Sequence, residues 1–377
     1  MRGHITSAAL GWRRYHQRGR ARVEGASHGR EVLMKRRRRF ALPLLTLLTL
    51  GAVVALVAPS SATFPGPDGL ISFTRFSPKV NSAEIYIARP DGSGVQKLTS
   101  NPRHFSLNSD WSPNGQLIAF DSDRVDVEGR KNAVQIYLMG ADGSGVTQLT
   151  RGPGFHGSPG WSPDGTRLAI ESDWGGDRAL QGIWTIPASD PDGVTQAEAQ
   201  RVTTLPKGAD FDSEPQFSPD GSMIALTRFK NFEKRKSAIH VVATDGSGLR
   251  QLTPWKLNAS HPDWSPDGQR IAFDPGDVQL PKNQSDIYVM RADGSARTRL
   301  TDNPRIRVGK PFKQDGNPVW SPSGTQIMYV RFHARRFVDP ESGPPGGKVM
   351  VMNADGSGKH VVVSGNLQNR ADWGTHP

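Results

Sequence analysis

Trp264-Ser265-Pro266-Asp267-Gly268-Gln269-Arg270-Ile271-Ala272-Phe273 is the stretch on which the fold turns. An aromatic residue closes one strand, Ser-Pro-Asp-Gly makes a tight turn, and Ile-Ala-Phe carries the next strand. Proline presets φ at the start of such a turn, and Asp-Gly supplies the positive φ that a tight reversal needs. The same unit stands at Trp111-Ser112-Pro113-Asn114-Gly115, Trp161-Ser162-Pro163-Asp164-Gly165, Phe217-Ser218-Pro219-Asp220-Gly221 and Trp320-Ser321-Pro322-Ser323-Gly324, with a degenerate copy at Asp372-Trp373-Gly374. The aromatic anchors are spaced by 50, 56, 47, 56 and 53 residues. A period of this size signals a propeller or a solenoid.

Outward from each anchor the pattern stays regular. An alternating strand follows the apolar one, as in Ile85-Tyr86-Ile87, Ile136-Tyr137-Leu138-Met139 and Ile287-Tyr288-Val289-Met290. Next comes an Asp-Gly turn, at Asp91-Gly92, Asp142-Gly143, Asp192-Gly193, Asp245-Gly246, Asp293-Gly294 and Asp355-Gly356, and then a short Leu-Thr segment such as Leu98-Thr99 or Leu252-Thr253. Period-two alternation gives one face of each strand to each neighbouring sheet. Four short strands make a sheet too small to bury both faces alone, and stacking such sheets radially does bury them. The body opens inside the apolar strand, at Pro67-Asp68-Gly69-Leu70-Ile71-Ser72-Phe73, and ends on an anchor strand at Trp373. The expected fold is therefore all-β: a six-bladed β-propeller of four-stranded antiparallel blades, closed by the C-terminal strand joining the first blade. A solenoid has no need to return its missing first strand at the far end.

The repeated Trp-Ser-Pro-Asp-Gly, Ile-Ala-Phe, Ile-Tyr-Val, Asp-Gly-Ser-Gly and Leu-Thr unit resembles that of TolB-type, WD40-like propellers over nearly all of residues 64–377. The resemblance implies contact with a protein through the mouth of the central channel. The leader runs directly into the first blade, so the N-terminal companion domain of the periplasmic TolB protein is expected to be missing. That puts in doubt a role identical to that of the Tol envelope system.

Composition sets the location. The chain has 377 residues, a formal net charge of +11 and no cysteine, which rules out disulfides, thiolate metal sites and a Cys nucleophile. Residues 1–39 hold 12 Lys/Arg and 2 acids, residues 40–62 hold no charge, and residues 63–377 are left with a net charge of +1. From Met34 the sequence runs Lys35-Arg36-Arg37-Arg38-Arg39-Phe40, an apolar run from Ala41 to Ala58, and then Pro59-Ser60-Ser61-Ala62. A cationic start, an apolar middle and small residues at the exit make an export signal, with the cut expected after Ala62. The alternative is an uncleaved anchor through residues 40–58, at the lower limit for crossing a bilayer. Residues 1–33 read as an over-extended start or a disordered basic tail. Either way residues 63–377, the propeller, are expected outside the cytoplasm. The basic charge belongs to targeting, so nucleic acid is not an expected partner.

The position three residues before each anchor varies where everything around it repeats. It holds Asn108, Ser158, Glu214, His261, Asn317 and Arg370. Six equivalent positions entering the innermost strands form a ring at the channel mouth, and a mixed polar ring suits one asymmetric ligand or peptide. A solvated rim without a partner is the plain alternative. His104, His156, Asp210 and Asp212 lie just upstream and would extend the surface. The basic stretch Lys230-Asn231-Phe232-Glu233-Lys234-Arg235-Lys236 reads as a solvated hairpin tip.

Enzyme motifs are missing: no Gly-x-Ser-x-Gly, no His-Glu-x-x-His and no phosphate loop. The main expectation is a non-catalytic module binding an envelope or secreted protein, a peptide or a small ligand, with no cofactor. The second reading is a metal-dependent carbohydrate- or lactone-active enzyme, with His104, His156, His261 and Glu214 as the candidate metal set.

Overall fold

The computed structural model describes residues 65–77, 79–127, 130–190, 192–231, 236–275, 285–304, 312–334, 347–365 and 367–375. The leader, with its signal and anchor readings, lies outside them, and no helix among the described residues is long and apolar enough to cross a membrane.

The chain forms six four-stranded antiparallel sheets, the blades. Strands A to D run from the channel outward. Blade 2 has strands A Ser106–Trp111, B Leu117–Val127, C Arg130–Gly140 and D Thr147–Gln148. Blade 3 has His156–Trp161, Arg167–Ser172, Gly182–Pro187 and Gln200–Arg201. Blade 4 has Phe211–Phe217, Met223–Asn231, Lys236–Ala243 and Arg250–Gln251. Blade 5 has Ala259–Trp264, Arg270–Pro275, Tyr288–Arg291 and Thr298–Arg299, and blade 6 has Phe312–Trp320, Gln326–Ala334, Gly347–Asn353 and His360–Gly365. Blade 1 takes strands B, C and D from Asp68–Ser77, Ser82–Ala88 and Gln96–Lys97, and its A strand from Leu367–Thr375 at the far end of the chain. The closing register pairs Ile71 with Trp373 and Ser72 with Asp372.

Each blade interface has its own apolar cluster. Trp111 packs with Ile85 and Ile87 of blade 1 and Ile118 and Phe120 of blade 2. Trp161 sits with Ile136 and Leu149 of blade 2, Phe217 with Ile183 of blade 3, and Trp264 with Ile239 of blade 4. Trp320 packs with Ile287 of blade 5, and Trp373 with Val330 and Val349 of blade 6. The anchors are therefore inter-blade core. Burying one large aromatic contributes about 3 kcal/mol.

The repeated polar residues are turn and strand-end fasteners. In five of the Asp-Gly turns the Asp Oδ1 accepts the backbone N–H two residues on, at 2.8 to 2.9 Å. In Ser-Pro-Asp-Gly, Ser162 Oγ donates to Asp164 at 2.6 Å and accepts from Arg167 N at 2.9 Å. The D strands hold only two residues each in blades 1 to 5, so the Leu-Thr segment falls just beyond them. There the threonine hydroxyl takes over the ladder: Thr99, Thr150, Thr203, Thr253 and Thr301 accept from Ile85, Ile136, Ile183, Ile239 and Ile287 N at 2.8 to 3.0 Å.

The Asp293 turn keeps Asp-Gly-Ser but changes the last residue. Gly94, Gly145, Gly248 and Gly358 close their turns with φ between 62° and 66°, and Ala296 stands in the same place at φ 51°. A Cβ in the left-handed region costs about 1 kcal/mol. Ala296→Gly is expected to stabilise the protein by about 1 kcal/mol, read as a rise of about 2 °C in a reversible melt. An unchanged or lower Tm would show that the turn holds no strain.

Candidate functional site at the inner ring

The inner strands are bulged at the positions the sequence singles out. Register shifts fall between Leu107 and Asp110, Gly157 and Gly160, Ser213 and Gln216, Ser260 and Asp263, and Gly316 and Val319. At the bulge Asn108, Ser158, Glu214, His261 and Asn317 have left-handed φ of 50°, 51°, 57°, 52° and 54°. A bulge inserts a residue and re-aims its side chain, and five non-glycine residues in this region mark a backbone held by its surroundings. Arg370 lies in the closing A strand, and its side chain is outside the described residues. Asn108, Glu214 and His261 are half-buried, while Ser158 and Asn317 are buried.

A second ring backs the first. Strand B supplies Thr74, Asp121, Glu171, Thr227, Asp274 and Val330 at one repeated position, all buried. Its carboxylates stitch blade to blade. Asp121 Oδ2 accepts from Asn108 Nδ2 at 2.7 Å and from Ser158 N of the next blade at 2.9 Å. Glu171 Oε2 accepts from Ser213 Oγ of blade 4 at 2.6 Å. Asp274 Oδ2 accepts from Asn317 N of blade 6 at 3.3 Å, and Ser72 Oγ meets Ser109 Oγ across the first seam at 2.9 Å. A third set lies one residue before the anchors: Asp372, Asp110 and Asp263 accept the backbone N–H of Trp111, Trp161 and Trp320 at 2.7 to 2.8 Å.

The densest charge is at blades 4 and 5. His261 Nε2 lies 3.1 Å from Glu214 Oε1, and His261 Nδ1 lies 2.8 Å from Asp274 Oδ1. Glu214 Oε2 also accepts His261 N at 2.9 Å and the Thr227 hydroxyl at 2.8 Å. Burial opposes charge on this imidazole, but Asp274 and Glu214 outweigh it and raise its pKa from 6.5 to about 10. Burial likewise works to raise Glu214, yet the His261 charge and its hydrogen bonds hold the carboxyl below its ordinary value. In blades 2 and 3 no cation among the described residues compensates. Burial pushes Asp121 from 3.8 up to about 7, and raises Glu171 well above the ordinary carboxyl range.

Only Glu214 and His261 of the candidate metal set come together. His156 is fully buried, packs on Trp174 with centroids 4.2 Å apart and the rings tilted by 56°, and contacts Ser172 Oγ at 2.9 Å. Burial lowers its pKa to about 3, which makes it a neutral core imidazole rather than part of the mouth surface. His104 Nδ1 contacts the Asp123 carbonyl at 2.8 Å. Both ring nitrogens of His261 are engaged by carboxylates, and no group of three or more His, Asp or Glu among the described residues is arranged to hold a metal. Asp212 does not extend the mouth either: it is buried in a bidentate pair with Arg228, both contacts at 2.6 Å. Asp210 is half-exposed, 3.5 Å from Arg178.

The strand-B carboxylates escape a reading aimed at inner strands, but a signal exists. An acid follows the apolar run at the same offset in Ile118-Ala119-Phe120-Asp121, Leu168-Ala169-Ile170-Glu171 and Ile271-Ala272-Phe273-Asp274. An acid recurring at the end of a buried strand needs a repeated partner.

With this architecture in hand the chain is a TolB-like six-bladed β-propeller. The family model described as the TolB beta propeller domain matches residues 183–330. The chain is 28% identical over 201 residues to a protein named TolB homolog from Chlorobium luteolum, covering 53% of this chain and 41% of that protein. It is 26% identical over 215 residues to a protein of Bacillus subtilis named as an uncharacterized peptidase, covering 48% of this chain and 31% of that one. The chain thus spans less than half the length of either relative. The crystal structure of TolB from Acinetobacter baumannii superposes with a TM-score of 0.60 at 18% identity, covering 82% of this chain and 67% of that one, which is a likeness of fold.

Proposed function

We propose that this chain is an exported, non-catalytic propeller that captures a protein or peptide partner at its channel mouth in the cell envelope. The observation that carries the reading is the set of left-handed bulges at Asn108, Ser158, Glu214, His261 and Asn317. The fold repeats the strained backbone in each of these blades but varies the side chain on it, as a recognition ring requires. The cationic and apolar leader supports an extracytoplasmic location, and the likeness to TolB proteins supports a protein as the partner. The commitment of both His261 nitrogens to carboxylates favours binding over metal-dependent chemistry.

The test is affinity capture from envelope extract, with bound proteins identified by mass spectrometry. Asn108→Ala combined with Arg370→Ala trims the ring while leaving Asp121 its Ser158 N–H. The wild type is expected to retain a defined partner, and the double variant, still unfolding in one cooperative transition, to retain about tenfold less. Equal retention by both would overturn the mouth as the binding site.

A further inference from the structure

In each blade the A–B and C–D turns lie at one end, and the B–C and D–A connections at the other, where the inner strands begin. Contacts join the two kinds of connection on this mouth face. Asp210 N donates to Phe229 O at 2.7 Å, Arg228 reaches Thr204 O at 3.3 Å, and Phe211 stacks on Phe229 with centroids 4.4 Å apart. Lys230 Nζ lies 5.8 Å from the centre of the Trp255 ring. These contacts gather Lys207, Lys230, Lys236 and Lys256 into one sector around Trp255. All four lysines are exposed, and Trp255 is half-exposed on the short 3-10 turn Trp255–Leu257.

Charge in this sector does not cancel at the surface. Its described acids are spoken for: Asp212 is buried against Arg228, Asp210 lies near Arg178, and Glu214 and Asp274 share His261. Further round the ring, burial favours the neutral forms of Asp121 and Glu171. On the opposite face Asp91, Asp142, Asp164, Asp192, Asp220, Asp245, Asp267, Asp293 and Asp355 stand exposed in their turns, with the bases Arg89, Arg250, Arg291, Arg297 and Lys359 exposed among them. The net charge of +1 over residues 63–377 therefore hides a local basic sector at the mouth, while bases and acids alternate on the opposite face.

We infer that the lysine sector around Trp255 is a docking surface for an acidic peptide segment of the partner. This rests on the reading of the mouth as the binding face and adds the partner's chemistry. Exposed lysines steer an acidic chain and fix its register, and Trp255 offers a flat apolar anchor of the kind that dominates small interfaces.

The test uses the full chain and a fluorescein-labelled peptide of alternating glutamate and alanine, about a dozen residues long, followed by anisotropy. Wild-type binding is expected to weaken as salt rises. The combined Lys207→Glu, Lys230→Glu and Lys256→Glu variant is expected to bind about tenfold more weakly, with an unchanged melt. Reversal of Arg89, Arg291 and Arg297 on the opposite face is expected to leave binding as it is. The basic leader is present in every sample, so the difference between variants reports the sector alone. The inference is overturned if the triple variant binds as the wild type does, if a lysine-alanine peptide binds equally well, or if single-stranded DNA of the same length displaces the peptide more strongly than the peptide itself. Loss of partner capture in the Asn108/Arg370 variant together with undiminished peptide binding in the triple lysine variant would retire the acidic partner and keep the mouth.

Discussion

Removing residues 367–377 is expected to leave a chain that does not close into a folded ring. The deleted segment is the inner strand of blade 1. Its loss strips Leu367, Ala371 and Trp373 from the cluster with Val319, Met328 and Val330, and uncovers Ile71 and Phe73. It also removes Asp372, whose carboxylate accepts Trp111 N across the next seam at 2.8 Å. Trp373→Ala alone is expected to cost about 3–5 kcal/mol. Loss of the whole strand exceeds that, against a total stability of about 5–15 kcal/mol for a typical domain. Near-UV circular dichroism and urea unfolding give the readout. A truncated chain with a native spectrum and a cooperative transition would show that closure by the last strand is dispensable.

The second large effect is at His261. Its side chain sits between Glu214 and Asp274, with side-chain exposures of 17%, 14% and 0%. His261→Ala leaves two carboxyls in a water-poor pocket with no cation, and breaking such a buried arrangement costs about 3–5 kcal/mol. The pH dependence has a definite sign. The imidazole pKa is raised from 6.5 to about 10 on folding. Its contribution is therefore complete below about pH 6.5 and disappears as pH rises through about 10. Glu214 works the other way: its carboxyl is held below the ordinary value, so its share is present at neutral pH and is lost as the solution becomes acidic. Urea unfolding of wild type and His261→Ala at pH 7, 8.5 and 10 should show the gap between them closing towards the alkaline end. A gap independent of pH would mean that His261 is neutral in the folded protein.

The ring positions were legible in the sequence because they vary where everything around them repeats. Asn108, Asn317 and His261 also belong to residue types that tolerate left-handed backbone, which is where the structure holds them. What could not be read was their company. The pairing of Glu214 with His261 joins residues 47 apart, and that of His261 with Asp274 joins strands A and B of one blade. Asp212 and His156 illustrate the converse. Both stand where the sequence suggests an open mouth, yet one is locked against Arg228 and the other is packed on Trp174.

Blade number, strand order and closure were determined by the sequence alone, because turn chemistry and period-two burial act locally and repeat around the chain. Tertiary structure alone decided which carboxylates are paired with a cation and where the exposed lysines gather. Those properties depend on distances between blades and on exclusion of water, and no single repeat contains either. The Asp of a turn and the Asp of a seam are the same residue type in the sequence, but Asp91 ends exposed to solvent and Asp121 ends buried between two blades.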